Sequence, residues 1–173
     1  MNAPLMALLR LIHILAGIFW LGATLTLAGF LLPALRDARA GAGSVWHNVM
    51  QRQRLQLWIN ISMTLAILAG FALYGIDSAT SSGGFARSAM GRMLGLGALL
   101  AIAAAGVMGA MSQPAGRKLA ALANRIDESR NAPGSSDLTM AAEALQNRIS
   151  RGLTIASVLL LLSAITMAIA RYL

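Results

Sequence analysis

The sequence predicts an all-α polytopic membrane protein, a four-transmembrane-helix up-down bundle with a cytoplasmic helical hairpin extending spans three and four. Three observations carry that expectation. Of 173 residues, 57% are hydrophobic and only 12% charged, about half the share of roughly 25% usual in a soluble domain. The apolar residues gather into four runs, each long enough for a helix to cross a hydrocarbon core of about 30 Å, which takes about 20 residues. The formal charge of +8 falls between those runs instead of on one face, so lipid headgroups are the expected polar partner and nucleic acid is not.

Only a helix satisfies its own backbone polar groups without water, so each run is read as a helix. The first span covers about Leu8 to Leu35. It is too long for a signal-peptide core, no small-residue cleavage site follows a charged start, and it is expected to be retained. In the loop after it, Ser44 is placed to cap a helix running through Trp46 and Val49 into the second span, and His47 beside Trp46 reads as a solvated interfacial residue. The second span covers Leu55 to Ile76 and the third Ala89 to Met111, with Pro114 expected to kink or end the third as it leaves the membrane. Next, Leu119, Leu122 and Ile126 recur at helical spacing, a turn follows over Asn131 to Ser136, and Leu138, Ala142, Leu145 and Ile149 recur likewise, with Asp137 near the helix start. That pattern predicts an antiparallel hairpin over about 115–151. The fourth span covers Leu153 to Tyr172. All of this forms a single membrane domain, without an internal repeat that the eye can find.

Charge orients the bundle. Loop one holds Arg36, Arg39, Arg52 and Arg54, and loop three holds Arg117, Lys118, Arg125, Arg130, Arg148 and Arg151, ten of the 14 basic residues. Arg10, Arg87, Arg92 and Arg171 lie at the opposite ends. The positive-inside rule therefore places loops one and three in the cytoplasm and both termini outside. Trp46 and Trp58 inside, with Tyr74 and Tyr172 outside, suit the interfacial aromatic belts.

The candidate chemistry centres on His13, the one histidine within a span, followed on one helical face by Gly17, Trp20 and Thr24. An ionisable group at that depth is costly unless partnered, and neutral imidazole is a common metal ligand; its ordinary alternative is a hydrogen bond to a neighbouring helix. Helices alternating in direction bring Met90, Met93 and Met167 to a similar depth, and thioether with imidazole suits Cu(I) or haem iron. The ordinary role of methionine is core filling. Met63, Met108 and Met111 continue toward the inner end. Arg10, Arg92 and Arg171 lie near the His13 level, where guanidinium groups clamp carboxylates such as haem propionates or else reach into headgroups. Gly17, Gly22 and Gly29 on the first span and Gly91, Gly95, Gly106 and Gly109 on the third suit close helix approach, and Asn60 with Thr64 suits bonding across the bundle. The chain has no cysteine, no acidic residue in the middle of a span, no phosphate-binding glycine loop, and no nucleophile beside a base. Those gaps argue against thiolate metal sites, proton-coupled transport and hydrolysis, and whether the chain is an enzyme stays open with the balance against it.

The run Leu11-Ile-His13-Ile-Leu-Ala-Gly-Ile-Phe-Trp20-Leu-Gly22 followed by Leu31-Leu-Pro33-Ala-Leu35 resembles the copper-resistance D (CopD)-like bacterial membrane proteins. Those share a histidine, a tryptophan seven later, a glycine beyond it and a closing proline. A related pattern occurs in the HemJ-type haem membrane proteins, whose proline comes sooner and whose surroundings are richer in lysine. The resemblance covers about 30 residues of this chain. It implies a multi-pass protein of the bacterial cytoplasmic (inner) membrane concerned with copper uptake or tolerance, with His13 as the transferable metal position. The absence of further membrane histidines leaves His13 with a methionine, or His13 from two subunits. Copper or haem b is the expected ligand, with no cofactor as the other case. The rival expectation is a structural or assembly subunit of a larger membrane complex, and a homo-oligomer is compatible with either.

Overall fold

The computed structural model describes residues 3–38, 45–46, 48–81, 84–128 and 135–173. Helix α1 (Ala3–Thr26) runs through a π turn (Leu27–Leu31) into α2 (Leu32–Ala38). A second π turn (Asn48–Arg52) precedes α3 (Leu55–Thr80), a short α4 (Gly84–Arg87) follows, and α5 (Ala89–Val107) continues through a third π turn (Met108–Ser112) into α6 (Gln113–Glu128). Helix α7 (Ser135–Ala170) closes the chain. Among the described residues there is no strand.

Four helical stretches are long and apolar enough to cross a membrane, 3–35, 55–80, 89–122 and 140–170. Helix α1 packs mainly on α3, and α5 mainly on α7. Contacts of α1 with α7 and of α3 with α5 join the two pairs into an antiparallel bundle, and α6 lies along α7 as the hairpin. Trp20, Ile59, Ala104, Met108 and Ala156 are buried on its axis, and the same core continues into the hairpin through Leu119 and Ile149. Outside, Ile18 is 64% exposed, Leu68 61% and Leu99 66%. A coat of large aliphatic side chains around a core of alanines and a few large residues suits lipid as the solvent, and the chain is a multi-pass membrane bundle.

The third span begins at Ala89, as its sequence predicts, for a local reason. The Ser88 hydroxyl accepts from the Gly91 N–H at 3.0 Å and donates to the Phe85 carbonyl at 2.6 Å, capping α5 and tying it to α4. A side chain at Gly91 would run into that Phe85 carbonyl.

The third span does not end at Pro114, one of the two outcomes expected there, and Pro33 lies in the same setting. Both long odd-numbered spans place a five-residue π turn directly before a proline at the second position of the next helix, Pro33 in α2 and Pro114 in α6. In each turn the N–H of the residue before proline bonds five residues back, Leu32 to the Leu27 carbonyl and Gln113 to the Met108 carbonyl. Proline brings no N–H and its ring collides with the carbonyl four residues earlier. The wider turn takes up that collision, so the helix continues. In the third span, the Ala110 carbonyl that Pro114 cannot serve accepts instead from Arg148 Nη2 of α7 at 3.2 Å.

Loop one also departs from expectation. Ser44 and His47 lie outside the described residues, and the helical turns through Val49 do not run into the second span. Arg54 takes a left-handed conformation, φ 56° and ψ 27°, immediately before α3, a region that costs a non-glycine residue energy. The chain turns sharply there, which lets Met50 tuck into the core. Helix α7 already includes Ser135 and Ser136, so the turn expected over Asn131 to Ser136 is shorter on its C-terminal side; 131–134 lie outside the described residues.

Candidate functional site

The face of α1 that carries His13 also carries Ala16, Trp20, Thr24 and Leu27, spaced three or four apart and turned inward. Ala16 and everything after it on this face is buried, while His13, nearest the N-terminal end, is half-buried. Its ring meets the second span. Nδ1 lies 2.7 Å from the Ala66 carbonyl oxygen. A carbonyl can only accept, so Nδ1 carries the proton and, in neutral imidazole, Nε2 keeps its lone pair. Gly70, one turn further along α3, makes room for the ring: a Cβ there would lie 2.9 Å from Cε1 and 3.1 Å from Nδ1. The expected hydrogen bond to a neighbouring helix is therefore present. It also leaves the opposite nitrogen unused, since Nε2 has no hydrogen-bond partner among the described residues.

The methionines are held by other helices. Met167 of α7 packs over Gly97 of α5, where a Cβ would come 2.8 Å from its Cγ, and the neighbouring Ser163 hydroxyl donates to the Gly97 carbonyl at 2.7 Å. Met90 is exposed in the first turn of α5, and Met93 is half-buried one turn on. Among the described residues no group of three or more histidine, cysteine, aspartate or glutamate side chains is placed to hold a metal ion; Met90 and Met93 lie on α5, which packs mainly on α7, whereas the His13 ring lies against α3. Arg10, Arg92 and Arg171 are all exposed; Arg171 lies over the ring of its neighbour Tyr172, 5.1 Å from the centroid. Exposed guanidinium groups on membrane-spanning helices suit contact with lipid headgroups.

Two turns inward from His13, the Trp20 indole N–H donates to the sulfur of Met108 at 3.4 Å in a fully buried contact. Thr24 caps this layer by donating to the Trp20 carbonyl at 2.7 Å. First and third spans are thus joined by a sulfur bond at the start of a π turn. The sequence marks both residues but gives no sign that they are partners. Asn60 does reach across the bundle, accepting from Gln113 of α6 and from Gln56 of its own helix, each at 3.1 Å. Thr64 does not: its hydroxyl returns to the Asn60 carbonyl at 2.9 Å. Of the glycines expected at helix contacts, Gly91 and Gly95 meet neighbours, while Gly17, Gly22, Gly29, Gly106 and Gly109 face open space.

Scans of this chain against protein-family models, curated proteins and solved structures found no match.

Proposed function

We propose that this chain is a membrane subunit that binds a metal centre, a copper ion or the iron of haem b, through Nε2 of His13 near the outer face of the bundle. The observation that supports this is the Nδ1–H to Ala66 carbonyl bond. Histidines that ligate metals characteristically donate their other ring N–H to a backbone carbonyl or a carboxylate, which fixes the tautomer and aims the free nitrogen. The resemblance of the first span to CopD-like proteins supports the same residue. Met90, Met93 and Met167 are the thioethers on the third and fourth spans available to complete a soft site, and Arg10, Arg92 and Arg171 are the cations at the membrane boundary available to haem propionates.

Purified in mild detergent, the wild-type protein should carry either a Soret band or about one copper per chain, and His13→Ala should lose it while eluting at the same volume in size exclusion. Metal and haem contents that are zero in the wild type, or equal in the two proteins, would sink the assignment.

A second reading has its own support. Gly22 and Gly29 are exposed on the first span with open space around them, and small residues on a lipid-facing surface suit close approach by another helix. A structural subunit of a larger complex, or a homo-oligomer, would use that face and need no cofactor. Purification with a stoichiometric partner that Gly22→Leu releases, from a colourless and metal-free protein, would favour it.

A further inference from the structure

At the opposite end of the bundle from His13, the π turn of the third span and α7 border an open, shallow cleft of about 360 Å³ lined by Met111, Ala144, Asn147, Arg148 and Arg151. We infer that this cleft binds a phosphate group at the membrane boundary, that of an anionic phospholipid, between the guanidinium groups of Arg148 and Arg151.

The chemistry of the lining comes first. It carries two cations, one side-chain amide and no carboxylate. Arg148 and Arg151 are three apart on α7 and therefore share a face. Guanidinium groups match phosphate oxygens with paired, charge-assisted hydrogen bonds.

One of the two arginines is also fixed in advance. Pro114 leaves the Ala110 carbonyl without its helical donor, and Arg148 Nη2 fills that vacancy at 3.2 Å. A single N–H is spent there, and the remaining guanidinium donors stay available at the cleft. A long side chain pinned by a backbone carbonyl loses less freedom when it takes up a ligand than one that waves in solvent. The π turn behind it is backed by Gly152, where a Cβ would lie 3.0 Å from the Met111 Cβ.

Depth selects the source of the phosphate. Arg151 is the last charged residue of α7 before Arg171, and the residues between them are without charge. The cleft therefore lies where the helix passes from polar to apolar surroundings. Below it on the same face of α7, Ile155 is 45% exposed, Val158 50% and Leu162 45%. That stripe offers an acyl chain a path directly beneath the cations, which inorganic phosphate would not use. Basic pockets between spans at the positively charged end of a bundle are suited to anionic headgroups.

The test uses the full chain in detergent, with native mass spectrometry counting bound lipid and a thermal shift as the second readout. Phosphatidylglycerol should bind at one per chain and raise the melting temperature, and phosphatidylcholine should do neither. Arg151→Gln, which leaves the Arg148 bond to Ala110 intact, should weaken phosphatidylglycerol binding about tenfold, the loss of one charge-assisted bond. Arg117→Gln removes the same charge from α6 and should leave binding unchanged. Equal binding of the two lipids, or equal losses in the two variants, overturns the site. If inorganic phosphate at millimolar concentration gives the same Arg151-dependent shift and displaces the lipid, the lipid assignment is overturned in favour of a soluble phosphate.

Discussion

Much of the ligand chemistry proposed at His13 depends on a residue without a side chain. Gly70 lets the imidazole lie flat enough against α3 for Nδ1 to reach the Ala66 carbonyl. Replacing it with alanine puts a methyl group 2.9 Å from Cε1 and 3.1 Å from Nδ1, tighter than a van der Waals contact, so the ring has to move away. The histidine remains but its aim is lost. Gly70→Ala should therefore lower metal affinity about tenfold, the low end of the cost of disturbing a ligand's outer partner. Gly75→Ala, on the same helix with nothing within 4 Å, should leave it unchanged. Competitive titration with a chelator of known affinity separates the two, and identical affinities in both variants and the wild type would show that the Ala66 bond does not position the ligand. His13 stands out in the sequence because ionisable groups within spans are rare. Its partner does not, because a backbone carbonyl leaves no mark on composition and Gly70 resembles any other small residue in an apolar run. The bond from Trp20 to Met108 is hidden for a related reason: nothing in either residue says which of several neighbouring helices it faces.

At the scale of elements, span positions are legible because hydropathy and helix length report on the same bilayer thickness, and the hairpin is legible because Leu119, Leu145 and Ile149 keep a helical period into the core. What the proline does is not legible. Proline forbids one hydrogen bond, but whether a helix ends, bends or widens there depends on what its continuation can bury. Here Ala115 is 2% exposed and Leu119 8%, so continuing α6 on that face is favoured. A π turn amounts to one extra residue in a helix. Deleting Gly109, which has open space around it, together with Pro114→Ala, which removes the collision that the wider turn takes up, should restore regular α geometry and keep Ala115 and Leu119 facing the core. Deleting Ala103 instead should rotate Ala104 and Met108, both essentially buried, by about 100° relative to the preceding residues of α5. The Gly109 deletion should give a monodisperse protein at near wild-type yield and the Ala103 deletion should not. Equal loss of folded protein in both would mean that the turn is not a removable insertion.

For the whole molecule, the charge distribution gives the two proposed sites different compartments. Ten of the 14 basic residues fall in loops one and three of the sequence, and the cost of carrying arginine and lysine across the bilayer favours holding those loops in the cytoplasm. In that orientation the His13 end would open outward, to a compartment where metal ions arrive, and the Arg148 and Arg151 cleft would open on the inner leaflet, whose anionic lipids supply phosphate headgroups. The four apolar helices are equally compatible with the inverted bundle, so the arrangement rests on the charges alone. Truncated chains fused to reporters decide it when expressed in a bacterial cell. Alkaline phosphatase joined after Leu173 should be active and a fluorescent protein there dark, and both outcomes should reverse for a junction after Glu128. The opposite pattern would place His13 toward the cytoplasm and the arginine cleft outside. A metal centre would then face the reducing side of the membrane, and the phosphate cleft would have to draw on the outer leaflet. Shifting charge tests the cause as well as the result: neutralising Arg36, Arg52, Arg54, Arg117, Lys118, Arg148 and Arg151 together leaves three basic residues in loops one and three against the four at the other ends of the spans, and a mixed or inverted reporter pattern is the expected consequence.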